Sequence, residues 1–486
     1  MRVNERLATA WSQLKPHLPW VAVVLALTAV GQWFELRNGV TAIVSSDGFI
    51  YMHDAHALPG LSGLVDPTVP PGYPIFLAAV FAVGGRDNVL AVLLVQSILL
   101  VAALLELYSF LVVATAPRWL ASTVAGCLAA STWLAQWERY VLTELLSFWL
   151  IATMLLLTAR WIRRPSTGAA IAAGLVAAAL PLVRPALAFV PLTILVVLLA
   201  RSLLTRTAPG RSRIPAMALL LFLVVSYLPV GGYVTANALV NDCYCYTNIS
   251  NLNLFGKIWE YDMQRLPADS RFATVAQELH DSTGLNQFLA ANPDYAIQNY
   301  APLGDYARSQ MLRYPGLTAR RTVSELRKVL TLQVDHAVYV NPVYACPGDS
   351  VPSSALETED AVAPPDLTSC TAVTLSVGTF AEVTNTLVYF LVVIGYATLP
   401  PGLLLGFLLV FMRPARDRSW AMLLASAVAS AVVFSAAVGG YESFDRLKLP
   451  ADGAALGALA LFLAEMGWLA KELVSSARPR SVPAPA

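Results

Sequence analysis

Residues 88–114 read NVLAVLLVQSILLVAALLELYSFLVVA, an almost unbroken apolar run. A helix of about 20 apolar residues crosses the hydrocarbon core of a bilayer, so this run is long enough to span a membrane. Further apolar runs lie at 18–34, 119–135, 142–162, 167–183, 186–200, 214–235, 384–411, 419–438 and 452–470. The pattern predicts an all-α polytopic membrane protein with about ten transmembrane helices.

The composition of the whole chain agrees with this class. Hydrophobic residues make up 57% of the 486 residues, charged residues make up 13%, and the mean hydropathy is +0.61. The formal net charge is only +1, which argues against nucleic acid as a partner. The short basic loops contain no glycine-rich phosphate-binding motif, so a nucleotide-driven pump is not expected.

Clusters of Lys and Arg predict the orientation, because cytoplasmic loops are enriched in these residues. With about ten spans the clusters fall on the cytoplasmic side of a plasma or inner membrane, and both termini are cytoplasmic. The apolar run 73–85 is too short to span and is predicted to be an interfacial helix. Counting it as a span would move Arg118 and every later cluster outside.

This topology divides the chain into four parts. The first loop and the long insertion are extracytoplasmic, and the insertion carries helical patterning at 273–289 and 317–330. The parts are a transmembrane core at 1–235 with a first loop at 35–72, a loop domain at 236–383, C-terminal helices at 384–470 and a cytoplasmic tail at 471–486.

The second patterned helix of the insertion is basic. It can lie against anionic headgroups or bind a lipid-linked substrate, and a solvated helix face would look the same. Its basic residues are Arg320, Arg321, Arg327 and Lys328.

Four of the five cysteines fall in the insertion. An oxidising compartment favours disulfides, and bridges from Cys243 and Cys245 to Cys346 and Cys370 would pin both ends of the long loop. Which cysteine pairs with which stays open. The Cys-x-Cys spacing fits no common zinc site. Cys127 lies in an apolar run and is expected to be a buried thiol.

Five short segments contain the polar residues of chemical interest, and they follow one another on the predicted extracytoplasmic side. They are Ser46-Asp47-Gly48, Pro70-Pro71-Gly72-Tyr73-Pro74, Arg139-Tyr140-Val141-Leu142-Thr143-Glu144, Leu182-Val183-Arg184-Pro185 and Phe444-Asp445-Arg446-Leu447-Lys448-Leu449-Pro450.

In their order and sidedness these segments resemble the GT-C class of membrane glycosyltransferases, in the branch of protein O-mannosyltransferases and aminoarabinose transferases. The resemblance implies a sugar donor attached to a polyprenyl phosphate and an extracytoplasmic glycan, lipid or protein acceptor. Many relatives have Asp-Glu at the first-loop position, whereas Gly48 follows Asp47 here.

These residue types suit glycosyl transfer. Asp47 is the candidate base that takes the acceptor proton in a single displacement. Arg184, Arg446 and Lys448 are the candidate ligands of the donor phosphate, which leaves as an anion. Glu144 is expected either to orient the acceptor or to pair with Arg139.

A divalent metal ion is the one cofactor that the first loop suggests. His53 and His56 could share a helix face and bind such an ion with Asp47 or Asp54, which is also a candidate for active-site support. Two histidines in a wet loop are otherwise ordinary polar residues. Asp66, just before a proline, is expected to form a turn.

Two other classes of function fit a polytopic chain. A secondary transporter or flippase of lipid-linked sugars would also have many spans, but no internal symmetry is apparent and the middles of most spans lack charges. An O-antigen-type polymerase or ligase would also use arginines in an external loop, but the early Asp47 and the Pro-Pro-Gly-Tyr-Pro segment favour the transferase.

Overall fold

The computed structural model describes most of the chain, and the statements below concern this part. It comprises residues 11–36, 43–44, 46–60, 62–205, 214–280, 282, 285–292, 295, 300–331, 344–345, 371–372, 379–413, 416–439 and 444–477.

The described residues are mostly helical, as predicted. In the first half of the chain the helices are α1 (Leu18–Leu36), α2 (Ser46–Ala57), α3 (Gly72–Gly84), α4 (Val89–Val113), α5 (Arg118–Ala130), α6 (Thr132–Gln136), α7 (Glu144–Arg163), α8 (Thr167–Val183), α9 (Val190–Leu204) and α10 (Ala216–Val240). They continue as α11 (Ile249–Glu260), α12 (Ala273–His280), α13 (Leu285–Ala291), α14 (Ala301–Arg313), α15 (Pro315–Thr331), α16 (Thr379–Ala397), α17 (Leu399–Met412), α18 (Asp417–Gly439) and α19 (Phe444–Ala477).

Seven of the described helical stretches are long and apolar enough to cross a membrane. The bent pair of α16 and α17 makes eight if it is one span. The chain is therefore a multi-pass membrane protein, but the predicted count of about ten is not confirmed. The runs at 119–135 and 167–183 form helices of 13 and 17 residues, α5 and α8, which are shorter than a usual span.

A small β-sheet modifies the all-α prediction. The two-residue strands β1 (Ile43–Val44), β2 (Tyr344–Ala345) and β3 (Thr371–Ala372) pair antiparallel in that order. The sheet joins the first loop to the long insertion. A two-residue strand has no detectable period-2 pattern, so sequence periodicity could not reveal it.

The helices pack into one bundle with a continuous apolar core. Helix α4 packs against α7, α8 against α10, and α18 against α19. We call the end of the bundle where α2 and α3 lie the loop end; α4 and α7 begin there and α8 ends there. The interfacial helix predicted at 73–85 corresponds to α3.

Arginines and carboxylates bind each other at the opposite end. Arg201 Nη2 lies 3.5 Å from an Asp417 oxygen, and Arg416 Nη2 lies 2.7 Å from Glu465 Oε2, whose side chain is buried. Arg201 also donates to the carbonyl of Ile162. These contacts connect α7, α9, α18 and α19 at this end of the bundle.

The long insertion has an apolar core of its own. At its centre the ring of Phe255 packs against the rings of Phe288 and Tyr306 in tilted and edge-on arrangements. The patterned region at 273–289 forms two helices, α12 and α13, and the one at 317–330 lies within α15, so helix is confirmed in both patterned regions, whereas most of 332–378 lies outside the described residues. Helices α11 and α14 were not predicted. Leu326 of α15 packs against the core of the bundle.

The predicted pairing of cysteines is wrong for the first pair. Cys243 is bonded to Cys245, so neither is available to Cys346 or Cys370, which lie outside the described residues. The turn after α10 brings the two Cα atoms to 5.1 Å, within the usual range for a disulfide. Cys127 is a free, partly buried cysteine.

Candidate active site

Asp47 lies in the first turn of α2, at the loop end of the bundle, and its side chain is half-buried. The next residue packs directly against the segment before α7: a Cβ built on Gly48 would lie 2.9 Å from the carbonyl oxygen of Val141. This close approach explains why a glycine follows Asp47, since any larger residue would push the helix away.

The Pro-Pro-Gly-Tyr-Pro segment forms the start of α3 and makes a second close approach. A Cβ on Gly72 would lie 2.5 Å from the carbonyl oxygen of Leu182 and 2.8 Å from the nitrogen of Val183. Arg184 is the residue after Val183. The backbone around Gly72 therefore touches the backbone just before Arg184, although the two segments are far apart in sequence.

Glu144 and Arg184 form a buried ion pair. Arg184 Nη1 lies 3.3 Å from Glu144 Oε1, and the exposed fractions of the two side chains are 6% and 0%. The sequence suggested Arg139 as a partner for Glu144, and it contained no signal for the ion pair with Arg184. Arg139 is buried in the 3-10 turn Trp137–Arg139, just before α7.

Arg446 and Lys448 lie in the first two turns of α19. This helix packs against α7, and a Cβ on Gly453 would lie 3.0 Å from the ring of Phe148. Phe148 follows Glu144 by one turn of α7, and Gly453 follows Arg446 by two turns of α19. The two basic residues therefore belong to the end of α19 that lies beside the start of α7.

Asp54 has a different environment from Asp47. It is 2% exposed, and its carboxyl group contacts the carboxyl of Asp66. Burial, followed by the charge and hydrogen bond of the nearby Asp66, raises the pKa of Asp54 to about 8. Asp66 forms the predicted turn, since its Oδ1 accepts the Thr68 N–H at 2.5 Å, and its carbonyl accepts from Tyr233.

The suggested metal cluster is not assembled. His56 Nε2 lies 2.5 Å from Asp87 Oδ1, with its ring stacked on Phe81, whereas Asp54 contacts Asp66 and His53 is exposed. Among the described residues, no group of three His, Cys, Asp or Glu side chains is placed to hold a metal ion.

The structure adds two polar residues that sequence reasoning missed. Gln96 and Glu138 are both buried at the loop end, and the Gln96 amide donates to the backbone carbonyl of Glu138. A signal was present, because Gln96 interrupts the apolar run of α4. Polar side chains within a span are costly and are commonly functional.

No protein-family model matches the chain, and no curated protein matches it. Several solved structures do. The oligosaccharyltransferase AglB from Archaeoglobus fulgidus, in complex with an inhibitory peptide and a dolichol-phosphate, is 12% identical, with a TM-score of 0.44 over 98% of this chain and 53% of that chain. Its apo form is 13% identical, with a TM-score of 0.45 over 97% and 53%.

ArnT from Cupriavidus metallidurans, bound to undecaprenyl phosphate, is 14% identical, with a TM-score of 0.32 over 98% of this chain and 82% of that chain. AglB and ArnT are GT-C glycosyltransferases, the class that the sequence segments resemble. The chain spans about half the length of the oligosaccharyltransferase. Because these TM-scores are below 0.5, function is inferred below from the chain's own residues.

Proposed function

We propose that this protein is a membrane glycosyltransferase of the GT-C type, which moves a sugar from a polyprenyl-phosphate donor to an acceptor on the extracytoplasmic side. The observation that best supports this function is that four of the segments that resemble GT-C glycosyltransferases meet at the loop end. The Asp47 segment touches Val141, the Gly72 segment touches Leu182, and Glu144 binds Arg184.

The convergence matters because these segments come from four different parts of the chain. Two of the contacts are close enough to exclude a Cβ atom, so the backbones are held against each other. A candidate base and candidate phosphate ligands then share one end of the bundle. A donor whose phosphate lies at the membrane surface would present that phosphate to the residues at this end of the bundle.

The proposed reaction is a single displacement. An acceptor hydroxyl oxygen forms a bond to the anomeric carbon, and the bond from that carbon to the phosphate oxygen breaks. Asp47 takes the acceptor proton, and the polyprenyl phosphate leaves with the bonding electron pair. Asp47 is only half-buried, as a base that must meet an incoming acceptor requires.

Fixed positive charge would stabilise the leaving phosphate. Glu144 lies against the Arg184 guanidinium, and the planar fork of a guanidinium matches the geometry of a phosphate. We assign the donor phosphate to Arg184, Arg446 and Lys448 together. The pairing with Glu144 would then orient the arginine before the donor arrives.

A transfer assay tests this function. Purified protein in nanodiscs is mixed with a panel of radiolabelled polyprenyl-phosphate sugars and with glycan, lipid and protein fractions of a cell envelope as acceptors. We expect label to move to one acceptor fraction with release of polyprenyl phosphate. Failure with every donor, together with movement of labelled lipid across the bilayer, would support a transporter instead. Transfer only from a diphosphate-linked oligosaccharide would support a ligase.

A further inference from the structure

Gln96 lies two turns into α4, and its side chain is 1% exposed. Its Nε2 donates two hydrogen bonds of 2.8 Å, one to the carbonyl of Glu138 and one to the carbonyl of Tyr140. These carbonyls belong to the irregular segment between α6 and α7. One amide group therefore bridges two backbone positions that flank Arg139.

Tyr73 of the Pro-Pro-Gly-Tyr-Pro segment binds the other end of this amide. The two backbone carbonyls can only accept, so the NH₂ group must face them and Oε1 must point away. The Tyr73 hydroxyl donates to this Oε1 at 3.2 Å. Through Gln96, the residue after Gly72 is thus connected to the segment that contains Arg139, just as Gly72 itself touches the segment that contains Arg184.

The side chain of Glu138 adds further connections. Its carboxylate accepts hydrogen bonds from Gln32 of α1, at 3.2 and 3.3 Å, and from Ser97 of α4. The segment is consequently held by α1 and α4 directly and by α3 through Tyr73. Irregular backbone is tolerated at membrane depth only where protein groups satisfy it in this way.

The segment held by Gln96 leads to the candidate base. Val141 follows the second bridged carbonyl, and its own carbonyl packs on Gly48, the neighbour of Asp47. We propose that Gln96 is a positioning residue: its amide fixes the 138–141 backbone, which in turn fixes Arg139 and the start of α2 with Asp47. This role rests on the glycosyl transfer proposed above.

The test compares two variants with one control in nanodiscs. Gln96→Met keeps the length of the side chain and removes both N–H donors, and Tyr73→Phe removes only the hydroxyl that donates to the amide oxygen. Ser226→Ala is the matched control, because Ser226 is also buried in a span but bonds within its own helix, to the carbonyl of Phe222. Hydrogen exchange of peptides covering 137–143 is measured with kcat and KM for the donor.

For Gln96→Met we expect exchange in 137–143 to rise about tenfold and kcat to fall at least tenfold, with KM for the donor within about twofold. Tyr73→Phe should change both quantities in the same direction by less, and Ser226→Ala should change neither. If Gln96→Met does not fold, Tyr73→Phe still decides the question.

Two results would overturn the proposal. Unchanged exchange in both variants would show that Gln96 does not hold the segment. Faster exchange with an unchanged kcat would show that the segment is held for packing alone. If wild type transfers no sugar, the proposed function fails and the role of Gln96 in it fails too, while the exchange data still report whether the amide fixes the backbone.

Discussion

Glu144 and Arg184 form an ion pair at the loop end of the bundle, with Arg184 Nη1 3.3 Å from Glu144 Oε1 and both side chains almost completely buried. The pair connects the first residue of α7 to the residue that follows α8. Removing one member would leave the other charge in a poorly solvated place, which costs far more than the pair contributes as a unit.

We therefore expect Arg184→Met and Glu144→Gln each to destabilise the protein by about 3–5 kcal/mol. The double variant should be more stable than the sum of the two single effects predicts, because it leaves no buried charge without its partner. Thermal unfolding in detergent of the four proteins measures this coupling. Additive effects of the two substitutions would show that the pair is not formed.

The close approaches at Gly48 and Gly72 predict that neither position accepts a side chain. Gly72→Ala and Gly48→Ala would each place a Cβ against backbone atoms that cannot move aside as a side-chain tip can. We expect both variants to lose most of their transfer activity. Gly231→Ala is the control, since Gly231 lies within helix α10 with no atom near its missing Cβ.

A second readout separates packing from chemistry in these variants. The Gly72→Ala and Gly48→Ala proteins should also unfold at lower temperature than wild type, whereas Gly231→Ala should be equal to wild type or slightly more stable. Full activity and stability of Gly72→Ala would mean that α3 does not rest on the 182–183 backbone.

The raised pKa of Asp54 predicts a pH-dependent stability. The folded protein keeps Asp54 protonated up to about pH 8, whereas the carboxyl of the unfolded chain has the ordinary value of 3.8. Between these values the folded state binds more protons than the unfolded state, so stability falls as pH rises and levels off above pH 8. Asp54→Asn should remove this part of the slope.

The measurement is the unfolding temperature as a function of pH for wild type, Asp54→Asn and Asp305→Asn. Asp305 is an exposed carboxylate on α14 and serves as the control. We expect the advantage of Asp54→Asn over wild type to grow from acidic pH to about pH 8. Parallel curves for wild type and Asp54→Asn would contradict the buried carboxyl contact.

The disulfide arrangement gives a prediction for the insertion. Cys243 and Cys245 bond to each other, so neither is available to a more distant cysteine. Non-reducing proteolysis and mass spectrometry should therefore recover one peptide that contains both residues with an internal bridge. Peptides that join Cys243 or Cys245 to Cys346 or Cys370 would contradict this disulfide and restore the pairing predicted from the sequence.

Features that depend on local sequence were predictable. The length of an apolar run indicates a spanning helix without knowledge of its neighbours, so α4, α7 and α10 follow from their residues alone. The short helix α3 follows in the same way from its run and its preceding prolines. The Asx turn at Asp66 is a property of a few consecutive residues.

Features that depend on contacts between distant segments could not be predicted. The partner of Glu144 is decided by how α8 ends beside α7, and nothing near Glu144 in sequence names Arg184. Asp54 is buried beside Asp66, whose carbonyl in turn accepts a hydrogen bond from Tyr233 of α10, so a residue predicted to be in a solvated loop is shielded from solvent. For the same reason His53 and His56 do not form the suggested metal site, because Asp87, which comes after α3, binds His56.

Gln96 is an intermediate case. A polar residue in an apolar run is visible in the sequence and is a reason to look for a buried partner. Which carbonyls it would bind could not be read, because they belong to an irregular turn that lies more than 40 residues away. Such turns have no periodic pattern to detect.

Sugar transfer by wild type, Asp47→Asn and Asp305→Asn tests the central claim, that Asp47 is the base of a transfer reaction at the loop end. The three purified proteins in nanodiscs are compared at saturating donor, with and without a metal chelator, and their unfolding temperatures are matched first. We predict equal transfer by wild type and Asp305→Asn and a loss of at least a hundredfold in kcat for Asp47→Asn with little change in folding. Equal turnover by Asp47→Asn and wild type would contradict the account.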